Sequence, residues 1–190
     1  MSNRLAVVLV NWNGWQDTVA CLSSLIPHLP EDAVVLVCDN ASADRSLDHL
    51  EAWAQSHLTS TAFLRCHRTQ LEFAETNRSV QLILVDAGGN LGFAGGNNVG
   101  MRYAIQHGFG FVWLLNNDTV VDPNAASELL QEMQNNPKLG MCGSTILYED
   151  RPDTIQCLGG SSFDFREGTG RAIGAGQRRN QHDTPRQVIP

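Results

Sequence analysis

Residues 111–122 read FVWLLNNDTVVD, and the fold follows from the break inside them. Phe111 to Leu115 is an apolar run of strand length. Such a run fits a strand buried on both faces, as in a parallel sheet. It stops abruptly at Asn116-Asn117-Asp118. In open α/β sheets the ligand sits beyond the carboxyl ends of the strands. A carboxylate placed there beside amides suits a divalent cation and the phosphates it neutralises. Asn and Asp are also common turn residues, so one such end decides nothing. The recurrence of the pattern does.

Working outward, the same switch appears three more times. Residues 5–10 form a β-branched apolar run that ends in Asn11-Trp12-Asn13-Gly14. Residues 33–38 form a second, ending in Asp39-Asn40-Ala41-Ser42-Ala43-Asp44. Residues 80–85 form a third, running through Asp86 into AGGNLGFAGGNNVG. Helical periods lie between them. Val19, Leu22, Leu25, Ile26 and Leu29 share a face after a cap at Asp17 or Thr18. Leu47, Leu50, Trp53 and Leu58 share another, with Asp44 or Ser42 as cap. A third helix is expected over 96–107, and a fourth from Asp122-Pro123 to about 135. Further strands are expected over 139–147 and 154–158. Residues 59–79 have no clean period and read as an irregular insertion. From Gly159 on, few aliphatic residues remain and loop is expected.

Strand alternating with helix predicts a three-layer αβα fold around a mainly parallel sheet. Right-handed crossovers bring the polar strand ends to one rim. That rim would gather Asn11, Trp12, Asn13, Asp39, Asn40, Asn90, Gly92, Asn97, Asn98, Asn116, Asn117 and Asp118. Amides and carboxylates there can read a base edge and ribose hydroxyls. Six glycines between 88 and 100 mark backbone that passes close to something or takes positive φ. They match neither G-x-G-x-x-G nor a P-loop.

Composition narrows the field. The chain has 190 residues, enough for one domain with a real core. A net charge of −7 argues against a nucleic-acid partner, which calls for a basic surface. The five cysteines have no zinc spacing and no C-x-x-C, and Cys21, Cys38 and Cys142 sit in apolar runs as small hydrophobes, so a reducing compartment fits. The sequons at Asn40, Asn77 and Asn117 are then incidental. The first apolar run spans only six residues, too few for a signal peptide or a transmembrane helix. Arg171, Arg178, Arg179 and Arg186 form a loose basic group; such groups are usually solvated, and this one could meet a phosphate or an anionic lipid surface.

VVLVNWNG, VCDNASAD, GGNLGFAGGNNVG and WLLNNDTVVDP, in this order and spacing, resemble the family 2 glycosyltransferases of GT-A fold. The rhamnosyltransferase-like branch that builds bacterial polysaccharide is the nearest resemblance. It covers about residues 5–160 as a nucleotide-sugar-binding domain and leaves 161–190 as the start of an acceptor-side region. The resemblance implies transfer, usually with inversion, from a UDP- or dTDP-sugar to a saccharide or lipid-linked acceptor. It implies Mn²⁺ or Mg²⁺ held at Asp118, with Asn116 standing where the family has the first aspartate of Asp-x-Asp. It places Asn11–Asn13 and Asp39 by the base, and Asn90–Asn98 by the ribose and diphosphate. It implies a cytoplasmic protein, peripheral at the inner membrane face. No segment before Pro190 matches the family's catalytic-base segment, so the base is expected beyond it. Asp150, Asp153 and Asp164 read as solvated loop charges. Two other readings stand beside this one. A sugar-nucleotide nucleotidyltransferase would carry basic residues after the first strand, whereas none follows Asn11 before Arg45. A non-catalytic nucleotide-binding domain would not hydrolyse a donor.

Overall fold

The computed structural model describes residues 2–74 and 79–179, in two compact units that divide between Ser127 and Glu128. The first unit carries the parallel sheet. Its strands are β1 (Leu5–Asn11), β2 (Val34–Asp39), β3 (Phe63–His67), β4 (Leu82–Asp86) and β5 (Phe111–Leu114), in the order β3-β4-β2-β1-β5. Every pairing is parallel. The helices are α1 (Trp15–Leu25), α2 (Ser46–His57) and α3 (Gly92–Gln106), with α4 (Ala125–Asn135) running across the division.

The pleat sorts the side chains. Ala6, Val8, Val34, Leu36, Cys38, Ile83 and Val85 cluster with Tyr103 and Ala104 of α3. The alternate residues, including Val7, Leu9, Val37 and Leu84, are also fully buried, on the opposite face. There Thr18 of α1 bonds Asn11, and Arg65 of β3 pairs with Asp48 and Glu51 of α2. Helices thus cover both faces, which is why β1 and β2 read as unbroken apolar runs.

α3 packs so closely that two of its glycines have no room for a side chain. A Cβ on Gly96 would lie 2.9 Å from both methyls of Val10, and one on Gly100 would lie 2.5 Å from Cγ1 of Val8. These glycines lie one turn apart and serve packing against β1. Gly88 and Gly92 instead hold positive φ, at 67° and 69°. The glycine-rich run is therefore two devices in succession, a turn and a helix-packing face, and α3 begins four residues before the expected start.

The irregular insertion at 59–79 contains β3, an edge strand of the main sheet. Its sequence FLRCH hides the period, because Arg65 reaches across to α2 and, among the described residues, no strand covers its outer edge. Residues 75–78 of that insertion, with the Asn77 sequon, lie outside the described residues.

α1 starts at Trp15, ahead of Asp17, so Thr18 lies inside the helix and does not cap it. The N-cap of α2 is neither Asp44 nor Ser42 but Arg45, in a left-handed conformation; Asp44, one residue earlier, accepts from the Ser46 amide at 3.0 Å. Trp15 and Trp53 are half-buried, stacking on His49 and His57.

In the second unit the strand expected over 139–147 shortens to β6 (Thr145–Leu147), and Cys142 is exposed rather than buried. β6 pairs antiparallel with β7 (Ile155–Leu158). Where loop was expected after Gly159, β8 (Ser161–Asp164) and β9 (Thr169–Ala172) form an antiparallel hairpin. Its strands are almost wholly exposed, so they leave no apolar period in the sequence. The hairpin turns on Asp164, whose Oδ1 accepts from the Arg166 and Glu167 amides. Arg186 lies outside the described residues.

Candidate functional site

The strand order reverses at β1. From β1 the chain steps to β2 and β4 on one side and to β5 on the other, so a topological switch point lies between β1 and β5. The polar ends of β1 and β5 meet there.

Asn11, the last residue of β1, is fully buried. Its Nδ2 donates to Asp39 Oδ1 at 2.6 Å and to Ser42 Oγ at 3.1 Å. Its Oδ1 accepts from Thr18 Oγ at 2.8 Å. Asn117 Nδ2, beyond β5, donates to the same Thr18 hydroxyl at 2.9 Å. Asp39 is only 2% exposed and accepts three bonds: from Asn11, from the Ser42 hydroxyl at 2.6 Å and from the Ser42 amide at 3.0 Å. Asn13 holds a left-handed conformation (φ 54°) and ties the first loop to the second: its amide donates to Ser42 Oγ, and its Oδ1 accepts from the Ala43 amide. One connected network thus runs Asn117–Thr18–Asn11–Asp39–Ser42–Asn13. Buried polar groups cost heavily when unpaired, so satisfying them this fully makes the rim rigid.

Ser42 and Thr18 are central to this network, yet sequence reasoning offered them only as helix caps. The available signal is spacing. Ser42 follows Asp39 by three residues, the separation of a side chain closing its own turn. Thr18 lies one turn into α1, where it points back at the strand end.

On the α3 side the bonds are local. Asn40 Nδ2 donates to the Gly92 carbonyl at 3.0 Å, while its buried Oδ1 has no partner among the described residues. Asn90 Oδ1 accepts from the Gly92 amide, and buried Asn97 donates to the Phe93 carbonyl. Asn98 lies elsewhere. It faces outward from α3 into an open groove of about 550 Å³, with Leu91, Arg102 and Gln106 on one side and Arg68 and Leu71 on the other.

Seven predicted residues are open to solvent: Trp12 (60% exposed), Asn13, Asn90, Gly92, Asn98, Asn116 and Asp118. Among the described residues no group of three or more His, Cys, Asp or Glu is placed to hold a metal. Of the residues expected to hold a cation, Asp118 offers one carboxylate and Asn116 one amide, both exposed, so further ligands would have to come from elsewhere, such as substrate phosphates. A preformed protein cage is not what these residues make. The Asp118 carboxylate is felt by Cys21 of α1. Burial, with Asp118 adding to it, pushes that thiol up to about 12.

An open parallel sheet with a polar, rigid rim at its switch point defines the class: an α/β domain built to bind a ligand at the strand ends. The model of glycosyl transferase family 2 matches residues 6–173, and the chain belongs to that family. Among solved structures it is similar to the crystal structure of S. aureus TarS 1-349. The identity is 15% and the TM-score 0.49, over 70% of this chain and 33% of that one. The chain thus spans about one third of that chain's length. No curated protein sequence matches it. Members of the family generally use a divalent metal.

Proposed function

We propose that this domain binds a nucleotide-diphosphate sugar, UDP- or dTDP-linked, across the rim between β4 and β5, and presents the sugar for inverting transfer to a saccharide or lipid-linked acceptor hydroxyl. The observation that carries the reading is the connected network from Asn117 to Asn13 at the switch point, with exposed Asp118 beside it. In this reading Asn11, Asn13 and Asp39 shape the base end and Trp12 offers a stacking face. Asn40, Asn90, Gly92 and Asn97 border the ribose and diphosphate. Asn98, on the outer stripe of α3, joins them only where the donor reaches past the helix. Asn116 and Asn117 flank Asp118, which would hold Mn²⁺ or Mg²⁺ against the diphosphate. Such an ion, when bound, neutralises charge on the departing nucleotide diphosphate.

Direct displacement at the anomeric carbon needs a base for the acceptor's proton. Asp150 pairs with Arg151, and Asp164 is occupied by its turn. Both are exposed, as is Asp153. None of the three is proposed as that base. The setting we propose is bacterial polysaccharide or cell-wall synthesis of the rhamnosyltransferase type, at the cytoplasmic face of the membrane. Among the described residues no helix is long and apolar enough to cross a membrane. Exposed Arg171, Arg178 and Arg179 would provide peripheral contact. The division of labour we infer is donor binding in residues 1–160 and the start of the acceptor side after them.

Calorimetric titration of UDP, dTDP and GDP, with and without Mn²⁺, tests the reading. Micromolar, metal-dependent binding of a pyrimidine diphosphate, lost in Asp39→Ala and Asp118→Ala, is expected. No binding of any of the three to a folded protein would overturn it.

A further inference from the structure

Away from the rim, α3 and the segment after β3 enclose the open groove of about 550 Å³. Its two walls are fixed to one core. Leu71, after β3, and Tyr103, on α3, belong to the same buried cluster, and Val99 packs against it. The segment after β3 is also pinned through its backbone. The Arg68 amide donates to the Asp86 carbonyl and the Gln70 amide to the His67 carbonyl, each at 2.9 Å. The groove is therefore built into the fold. Its size falls within the range of about 300–1,000 Å³ usual for small-molecule sites.

The charge of the groove is one-sided. Arg68 stands on one wall and Arg102 on the other, both exposed. The other described arginines of the first unit are occupied. Arg45 pairs with Asp48, Arg65 pairs with Asp48 and Glu51, and Arg4 lies over the Phe109 ring. Among the described residues Arg68 and Arg102 have no ion pair, and no carboxylate lines the groove. Thr69, Asn98 and Gln106 add hydroxyl and amide donors. A single solvated arginine on a surface is ordinary. Two facing one donor-rich groove, on a chain of net charge −7, are a local reversal of sign. Leu71, Leu91 and Val99 give the same groove an apolar lining.

We infer that this groove binds the phosphate of a phosphate monoester, with the ester's apolar part against Leu71, Leu91 and Val99, at a site separate from the nucleotide rim. The two guanidinium groups decide the class. One planar fork satisfies a carboxylate by itself. A phosphate monoester carries nearly two charges and three acceptor oxygens, so forks on opposite walls can share it. The phosphate belongs either to a lipid headgroup at a membrane surface or to a free ester in solution.

The test uses the wild type, Arg68→Gln, Arg102→Gln and the double variant, in phosphate-free buffer without metal. Phenyl phosphate, inorganic phosphate and benzoate are titrated calorimetrically. Co-sedimentation is measured with phosphatidylcholine vesicles, with and without phosphatidic acid. Phenyl phosphate is expected to bind more tightly than inorganic phosphate or benzoate, and each single variant to weaken it about tenfold. All variants should melt like the wild type, as surface substitutions do. A lipid source is shown by binding to phosphatidic acid vesicles that falls about tenfold or more in the double variant, although Arg171, Arg178 and Arg179 remain. A free ester is shown by arginine-dependent binding of phenyl phosphate without vesicle binding. The inference is overturned if neither phenyl phosphate nor the vesicles bind the wild type, or if the double variant binds them equally well. Benzoate binding as tightly as phenyl phosphate would overturn the phosphate assignment. UDP with Mn²⁺ should bind the double variant as it binds the wild type; a parallel loss would make the groove part of the nucleotide site and end the claim of a separate one.

Discussion

The two sides of the β1–β5 switch point are made of the same residue types and behave oppositely. On the β1–β2 side, Asn11, Asp39 and half-buried Ser42 are bonded to one another, with Asn11 and Asp39 sealed from water. On the β5 side, Asn116 and Asp118 are exposed, and only Asn117 between them reaches back, to Thr18. Amides and carboxylates at strand ends therefore divide into those that hold the rim and those that face a ligand. Burial and bonding decide which. Mutations on the first side should cost stability, and mutations on the second should cost binding.

The largest effect is expected at Asn11. Asn11→Leu removes two donors and one acceptor, leaving Asp39 and Thr18 short of partners in a dry site. A loss of about 3 kcal/mol or more follows from unpaired buried polar groups, charged ones above all. Chemical denaturation measures it; a loss below about 1 kcal/mol would show that the network is not a frame.

Next comes the packing beneath it. Gly100→Ala puts a Cβ 2.5 Å from Val8, so α3 must lift from β1. Overpacking of this kind costs about 1–3 kcal/mol. The double variant with Val8→Ala should recover part of the loss, and a simple sum of the two single losses would deny the contact.

The third effect is one of pH. Burial raises the Cys38 thiol from 9.0 to about 12. The unfolded chain therefore releases this proton near pH 9 while the folded chain keeps it. Stability owed to this group is complete below pH 9 and falls as pH rises from 9 toward 12. The alkaline slope of Cys38→Ala should be shallower than that of the wild type by up to about 1.4 kcal/mol per pH unit, and equal slopes would place the thiol in water.

The smallest effect on stability belongs to the open side. Asp118→Asn should change the melting temperature by no more than about 2 °C, as surface substitutions do. It should still weaken metal-dependent nucleotide binding by about tenfold or more. A large drop in melting temperature would move Asp118 into the frame.

The sequence carried the fold where strands are apolar runs. Residues 5–10, 33–38 and 111–115 announced themselves because no polar side chain interrupts them, and 80–85 did so despite Gln81; β5 nevertheless leaves Val112 and Leu114 exposed. β3 was illegible because an edge strand needs no continuous apolar run: Arg65 spends its charge on α2. The β8–β9 hairpin was illegible for a related reason, since its strands bury almost nothing. The strand ends named the rim, and Asn11, Asn13, Asp39 and Asn117 do come together there. What the letters could not give was the hydroxyls. Ser42 and Thr18 look like any cap residue until the fold turns them toward Asn11. Asn97 and Asn98 are adjacent in sequence but point to opposite sides of α3, one buried and one in the groove beside Arg102. A helix rotates neighbours by about 100°, so a run of asparagines there cannot act as one group.

The most direct test of the account is amide hydrogen exchange in the presence and absence of a nucleotide diphosphate with Mn²⁺. The account predicts added protection in the loops after β1 and β5, at residues 12–14 and 116–119, and in 86–89 after β4. The interlocked amides of Ser42 and Ala43 should be slow to exchange already. Protection confined to the Arg68–Arg102 groove on α3, with these loops unchanged, would contradict it and place the nucleotide away from the switch point.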